Sequence, residues 1–579
     1  MNKKVKIGQR GGTITITDKN YKAAGGEASI YVNGGTVFKL YHDPTKKNLP
    51  IQKILELGKI TNPNVITPKD VVYDASTGEP LGYTAPYVDN VEPLLKLFTR
   101  TFKNDNNINP GQIADLVKQL QLATDDIHKA NCLIVDFNEL NVLVGVTTPT
   151  LIPWFIDTDS YATPTFKATA IMDSVRDRRV STLDANGKLV YNPDSMSDWY
   201  SWAILSFWLY TNIHPFRGNH ANYRPKDKQK QMDDNVSVLH PGVRVPPSVN
   251  DFAVIPARHM AYFKDVFVNN NRSVPPYADS TVPITVPNTI VILKGTNKLD
   301  VIQIEAFSES IIHVQYIMDL IYVITNKRIY GGVMGKTKPL MDLNNIKKAL
   351  VVKATDGTMI GAIQSGLEIK FLELNTGKLI DTVNSSDMMV RNDCVYTINN
   401  GKLIESKFSM MSNRIIHVVS EVDNVSKYSA TMYEGVVIQD LLGKTVITLP
   451  TDKGACITKF VPHLDGYRVL EAKSERNVIV VIAEKNGKYD QFIIVFKKDY
   501  TDFDIRKIED VAYDTINMTV MGVGVCALLS SADELQLFMT NHKVEAIADP
   551  PFDSTMRLFS SHNAIYFTNG NTIHQLKKV

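Results

Sequence analysis

The stretch Ile127-His128-Lys129-Ala130-Asn131-Cys132-Leu133-Ile134-Val135-Asp136-Phe137-Asn138-Glu139-Leu140-Asn141-Val142-Leu143-Val144 sets an Asp five residues before an Asn that runs straight into an apolar strand. Shortly afterwards, Phe155-Ile156-Asp157-Thr158-Asp159-Ser160 closes a second apolar strand with an Asp. Two carboxylates and one amide, each at the mouth of a strand, are oxygen donors of the kind magnesium takes. Phosphoryl transfer needs such ligands on rigid strands, and a carboxylate near the acceptor hydroxyl. Asp136, Asn141 and Asp157 are of the right types to supply all three.

A transferred phosphate also needs a cradle and a countercharge. Lys22-Ala23-Ala24-Gly25-Gly26-Glu27-Ala28-Ser29-Ile30-Tyr31 reads as strand, small-residue turn and strand. Thr36-Val37-Phe38-Lys39-Leu40-Tyr41 reads as a third strand, which carries Lys39. Gly25 and Gly26 would let a backbone approach phosphates closely, although an ordinary β-hairpin has the same look. The helical pattern at 49–60 carries Glu56, with Gln52 one turn earlier as a rival partner for Lys39; a solvated helix-face glutamate fits equally well. Leu81-Gly82-Tyr83-Thr84-Ala85-Pro86-Tyr87-Val88 follows a turn and reads as another strand. Asp198 opens a long apolar helix, where a plain N-cap is the simplest role.

In order, these pieces resemble the parts of a protein kinase. Residues from about 21 to 278 are similar to a bacterial and phage branch of the eukaryotic-like Ser/Thr kinases. That branch carries a G-D-x-N-x-x-N-V-L-V loop and an I-D-T-D-S-[FY] motif. Here they stand as Val135-Asp136-Phe137-Asn138-Glu139-Leu140-Asn141-Val142-Leu143-Val144 and Ile156-Asp157-Thr158-Asp159-Ser160-Tyr161, and His214-Pro215-Phe216-Arg217-Gly218 matches as well. The resemblance implies an α+β bilobal fold, ATP with Mg2+, and transfer of the γ-phosphate to Ser or Thr. It implies that Asp136 accepts the hydroxyl proton and that Asn141 and Asp157 bind the metal. Lys39 would meet the α and β phosphates, held by Glu56. Gly25 and Gly26 would cover the phosphates, backbone near Tyr87 would bind adenine, and Asp198 would brace the loop from beneath.

This chain also departs from the family. Of the usual glycine pattern only Gly25 survives. Ile134 and Val135 replace His and Arg, and Thr158 and Asp159 replace Phe and Gly. Where a Pro-Glu motif would anchor a substrate platform, the chain reads Asp173-Ser174-Val175-Arg176-Asp177-Arg178-Arg179-Val180. Arg176, Arg178 and Arg179 suit either a phosphate on this segment or a solvated basic loop.

A chain of 579 residues implies two to four domains. The composition is globular, with 44% hydrophobic residues, and a formal net charge of +2 gives no basic excess for nucleic acid. Four scattered cysteines form no CxxC pair, which predicts neither zinc nor disulfides and favours a reducing, cytoplasmic setting, or a virion for a phage protein. The N-terminal MNKKVKIGQRGG has no apolar stretch behind its lysines, so a signal peptide is not expected. The longest apolar run, 199–210, is too short for a bilayer and reads as a buried core helix.

Past residue 289 the helical periodicity fades. Alternating strands with Asn-Gly, Thr-Gly or Gly-Lys turns recur at 320–333, 358–381, 394–408, 435–450, 478–496, 522–540 and 564–579. A period of roughly 40 residues suits four-stranded propeller blades, and seven units would close one ring. The expected domains are therefore 1–278 (kinase-like), a Pro/Asn/Ser-rich linker at 279–288, and 289–579 (a seven-bladed β-propeller), with a β-sandwich or two small β domains as the alternative. The expected function is an active kinase whose propeller recruits a protein substrate or scaffold. The alternatives are a pseudokinase serving an assembly such as a phage particle, or a kinase fold acting on a small molecule.

Overall fold

The computed structural model describes residues 2–578 apart from 46–48, 148–149, 169, 187–188, 224–227, 247, 279–298, 345, 452–455, 523, 531–533, 539–543, 548–551 and 553. The chain divides into two compact units, 1–20 with 24–287 and 21–23 with 288–579. The expected linker at 279–288 lies outside the described residues.

The chain opens with β1 (Asn2–Ile7), β2 (Thr13–Thr17), β3 (Tyr21–Ala24), β4 (Ala28–Asn33) and β5 (Thr36–Tyr41). Helix α1 (Ile51–Leu57) comes next, then β6 (Val71–Asp74) and β7 (Pro80–Pro86). The strands form one sheet in the order β2-β1-β6-β7-β5-β4-β3. Strand alternation decides which side chains enter its core. In β5, Phe38 and Leu40 are buried, while Lys39 between them takes the other face. The sequence pattern predicts strands only from Thr13. The structure adds β1, where Val5 is buried amid alternating lysines.

A second layer contains the short sheet of β8 (Val91–Pro93), β9 (Val142–Thr147) and β10 (Thr150–Phe155), ordered β10-β9-β8. A hairpin of β11 (Ser181–Leu183) and β12 (Leu189–Tyr191) follows. The helices are α2 (Arg100–Asp105), α3 (Pro110–Lys129), α4 (Ser195–Thr211), α5 (Lys228–Asp233) and α6 (Ala257–Phe267). The periodicity of residues 92–102 predicts a helix, but the structure has β8, a 3-10 turn over Leu94–Phe98, and α2 there. The break falls at Thr99, whose extended backbone and hydroxyl cap α2 by accepting from the Phe102 amide at 3.3 Å.

The periodicity of residues 110–129 predicts a helix, and α3 has those bounds. Asn109 and Gln112 form a reciprocal capping box, and Pro110 occupies the first turn, where no amide is needed. Helix α4 is apolar all round, and residues 197–211 are all buried, as a core helix requires. It ends at Asn212 in a left-handed conformation. Buried Lys103 of α2 donates to the Leu209 carbonyl and, at 2.7 Å, to Asn212 Oδ1.

The second unit is all-β and propeller-like. Seven four-stranded antiparallel sheets succeed one another, six of them from continuous stretches at 311–342, 348–384, 389–424, 430–460, 468–508 and 517–547. The seventh pairs the first strand of the unit, Leu299–Ala306, with the last, Thr572–Lys578, and adds Ala564–Asn569 and Leu558–Ser561. Closing the last sheet with the first strand is the strand order of a ring. Each of the seven predicted strand–turn–strand units falls in a different sheet.

Facing sheets bury both sides of their central strands. Ile447, Ile479, Val481, Phe492 and Ile494 pack together, so the strand Lys488–Phe496 is buried throughout after its first residue and ends in the apolar run Phe492–Phe496. Arg391 joins neighbouring sheets. Buried, it donates to the Pro450 carbonyl (2.9 Å), the Gly435 carbonyl (3.0 Å), Ser474 Oγ (2.8 Å) and the Arg476 carbonyl (2.6 Å). Arg391→Ala should destabilise this unit by about 3 kcal/mol or more, because it strands buried acceptors. Lys497→Ala, which removes an exposed pair with Asp502, should leave stability close to wild type. Urea unfolding of the two variants checks the contrast.

Candidate functional site

The loop from Ala130 to Asn141 is built around one buried carboxylate. Asp198, fully buried in the first turn of α4, accepts the Ile134 amide on Oδ2 and the Val135 amide on Oδ1, both at 2.8 Å. His128 Nε2 lies 2.9 Å from the same Oδ2. These bonds hold Val135 at a φ of 65°, a conformation a β-branched side chain resists by about 1–3 kcal/mol. The adjacent Asp136 is thereby aimed out of the core. Its Oδ1 accepts from Asn138 Nδ2 and from the Met172 amide, each at 2.8 Å, and its Oδ2 from Asn141 Nδ2 at 3.1 Å. Burial raises the Asp136 carboxyl above its usual pKa, against the pull of those donors. Asn138 Oδ1 accepts from the Leu140 and Asn141 amides, so this side chain shapes the turn.

Strand β10 leads directly into the second group. The Ile156 amide donates to the Asn141 carbonyl at 2.9 Å and ties the two motifs together. Asp157 is left-handed, with φ 55°, and its carboxylate is half exposed, 3.1 Å from Lys39 Nζ. Asp159, one 3-10 turn on, is nearly closed off from solvent, with a side chain 10% exposed. It accepts from Lys39 Nζ at 2.9 and 3.1 Å, from Tyr83 Oη at 2.7 Å and from Tyr41 Oη at 3.0 Å. Burial by itself would lower the Lys39 pKa, but the Asp157 and Asp159 charges outweigh it and raise it. Burial likewise opposes the Asp159 charge, yet Lys39 and the two hydroxyls hold its carboxyl below the usual range. Gly82 makes the close approach of β7 to β5 possible, since a Cβ there would lie 1.9 Å from the Lys39 carbonyl oxygen.

Glu56 does not hold Lys39. It accepts from Thr165 Oγ1 at 2.6 Å and from Gln52 Nε2 at 2.9 Å, and hydroxyls of Thr163 and Thr165 with the Gln52 amide bring its pKa down to about 2. Asp159 stands nearer to Lys39 because the Asp-Thr-Asp turn enters beneath β5. Helix α1 instead sends Lys53, whose Nζ reaches the Asp159 carbonyl at 2.6 Å. The Tyr87 amide is engaged by the Gly35 carbonyl at 3.0 Å. Gly25 and Gly26 form the short β3–β4 turn without left-handed backbone, and a Cβ on either would meet at most one atom, at 3.9 Å. Nothing in the fold itself therefore requires glycine there, and the small residues leave open space above the sheet.

The arginines of the basic run pair with nearby carboxylates at or near the surface. Arg176 pairs with Asp173 (3.0 Å), Arg178 with Asp233 (2.7 Å) and Arg179 with Asp194 (3.0 Å). Buried Asp177 takes Arg272 in a two-pronged ion pair at 2.8 and 2.9 Å, and Arg272 also stacks on Tyr200. This pair anchors the segment ahead of α4. Pattern reading missed Tyr41, Tyr83, Asp159 and the Asp177–Arg272 pair; the repeated Asp in Asp157-Thr158-Asp159 was the available signal.

Among the described residues no cluster of three or more His, Cys, Asp or Glu side chains is arranged to hold a metal. Asp157 and Asn141 nevertheless suit magnesium, which takes few protein ligands beside phosphate oxygens and water. The Asn141 amide nitrogen is committed to Asp136, which leaves its oxygen as the donor atom. An open cavity of about 290 Å³ bordered by Lys59, Asp126, Lys129 and Asn131 includes none of these side chains.

No family model and no curated protein matches this chain. Among solved structures it is similar to Hsv2 of Kluyveromyces lactis, at 11% identity over 47% of this chain and 98% of that chain, with a TM-score of 0.32. It is likewise similar to the β-propeller domain of Cps50 (Swd1) from Myceliophteria thermophila, at 10% identity over 47% and 97%, with a TM-score of 0.31. The ring order of the second unit rests on its own strand pairing. Among the described residues no helix is long and apolar enough to cross a membrane.

Asp198→Ala should cost about 3–5 kcal/mol, because two buried amides and His128 lose their acceptor. Asp173→Ala, at an exposed carboxylate, should cost about 1 kcal/mol at most. Thermal unfolding of the full chain distinguishes the two.

Proposed function

We propose that the first unit is a kinase-type phosphotransferase that uses ATP and magnesium and passes the γ-phosphate to a Ser or Thr hydroxyl. The second unit would present a protein substrate or scaffold to it. One observation carries this reading: Lys39, Asp157, Asn141 and Asp136 arrive from separate elements and form one connected set. Lys39 meets Asp157, Asp157 follows the Ile156–Asn141 link, and Asn141 meets Asp136. Lys39, kept charged, would neutralise phosphate oxygens. Asp157 and Asn141 would hold magnesium, which supplies charge neutralisation at the transferring phosphate. Asp136, with its raised pKa, would orient the acceptor hydroxyl and take its proton.

A second reading has its own observation. The Met172 amide donates to Asp136 Oδ1, and with Asn138 and Asn141 it takes much of the carboxylate that an acceptor hydroxyl would use. A nucleotide-binding pseudokinase could keep all three contacts.

Incubation of the purified chain with labelled ATP and magnesium decides between them. Wild type should label itself or a generic protein. Asp136→Asn should keep ATP affinity within about threefold and lower transfer by roughly two to four orders of magnitude, the range of a positioned proton acceptor. Asp157→Ala should abolish magnesium-dependent binding with the fold intact. Tight magnesium-ATP binding by wild type without transfer to itself, to generic proteins or to lysate would favour the pseudokinase. Absence of nucleotide binding would sink both readings.

A further inference from the structure

We infer that Asp159, and not a glutamate of α1, is the residue that positions Lys39 on the nucleotide phosphates, with Tyr41 and Tyr83 holding the carboxylate in place; the inference rests on the phosphotransferase reading of the first unit. Three observations carry it.

The first is geometric. Both Asp159 oxygens lie within 3.1 Å of Lys39 Nζ, and each takes a tyrosine hydroxyl as well. A carboxylate with three donors and little solvent contact has one orientation available to it. Lys39 inherits that orientation.

The second is the commitment of the rival groups. Glu56 is engaged by Thr165 and Gln52. Asp157 also contacts Lys39, but through one oxygen and from a half-exposed position. Were Asp157 to turn its charge to magnesium, Lys39 would lose that partner while Asp159 stayed. The two aspartates of the motif thus divide the work, the outer one for metal and the inner one for the lysine.

The third is the rigidity of the turn. Lys53 Nζ donates to the Asp159 carbonyl at 2.6 Å, Thr158 Oγ1 to the Ile66 carbonyl at 2.8 Å, and Ser160 Oγ to the Asp157 carbonyl at 2.8 Å. Helix α1 therefore touches the site through Lys53 and a backbone oxygen. A swing of α1 is not needed to deliver a carboxylate to Lys39, because β5, β7 and the 157–160 turn already form a single clamp.

The test is calorimetric titration of the full chain with magnesium-ATP and, separately, with adenosine. Adenosine lacks phosphates, so damage to the fold weakens both ligands and a lost lysine position weakens only ATP. Asp159→Asn should weaken magnesium-ATP by roughly tenfold or more, the loss expected for one charge-assisted contact, and leave adenosine within about twofold. Added to Lys39→Met, it should cost nothing further, since the two act as a unit. Glu56→Gln should bind magnesium-ATP as wild type does. If Asp159→Asn proves insoluble, the Tyr41→Phe/Tyr83→Phe double variant should show a smaller loss, selective for ATP. Wild-type ATP affinity in the Asp159 or double-tyrosine variant, or an equal loss for adenosine, would overturn the inference while the phosphotransferase reading stands. A wild type that binds neither ligand would overturn the reading and this inference with it.

Discussion

Asp198 places a negative charge inside a helix that is otherwise apolar on every side, and the first unit is organised around meeting that charge. A buried carboxylate without partners costs several kcal/mol, so its acceptor sites must be filled. The donors come from the end of α3 (His128) and from the Ile134 and Val135 amides. The same bonds force Val135 into a left-handed turn. That turn fixes where Asp136 points, and Asn138 and Asn141 then close the loop around it. Core electrostatics therefore determines the geometry of residues at the surface of the cleft.

Three carboxylates crowd one lysine and one loop, and their differing burial gives them different chemistry. Asp159 is sealed and charge-paired, Asp157 is half exposed, and Asp136 is partly buried and touches no cation among the bonds it makes. A sealed ion pair resists competition from salt and solvent, whereas an exposed carboxylate can exchange partners. Among the ties that hold the segment after Asp159 are Thr165 at Glu56, Met172 at Asp136, and Asp177 at Arg272. The last is a buried, two-pronged ion pair and the first a hydroxyl bonded to an ionised carboxylate. The middle one is a single amide bond to a carboxylate that two side-chain amides also share.

The second unit is held together differently. Each sheet forms from a short continuous stretch, so most pairings are local and entropically inexpensive. Among the described residues only the pairing of Leu299–Ala306 with Thr572–Lys578 spans the whole unit, and it removes two open strand edges at once. Between sheets the contacts are chiefly apolar, with Arg391 as a buried polar exception that serves backbone acceptors around it.

Local patterns were sufficient to read the bounds of α3, the core character of α4, the β5 strand carrying Lys39 and the seven repeating hairpins. Each depends on capping residues or on periodicities of 3.6 and 2 residues, which are written in consecutive side chains. The Asp136–Asn141 and Asp157 spacing was visible for the same reason. The partner of Lys39 was not. Glu56 and Asp159 are both acidic and both at plausible separations, and the choice between them depends on how α1 and the 157–160 turn pack against β5 and β7. The Asp177–Arg272 pair joins residues far apart in the chain, and the Met172 contact with Asp136 uses a backbone amide that no side-chain pattern can reveal. Types and spacing of polar residues were thus set by the sequence alone, but which charge meets which was decided only when burial removed water as the alternative partner.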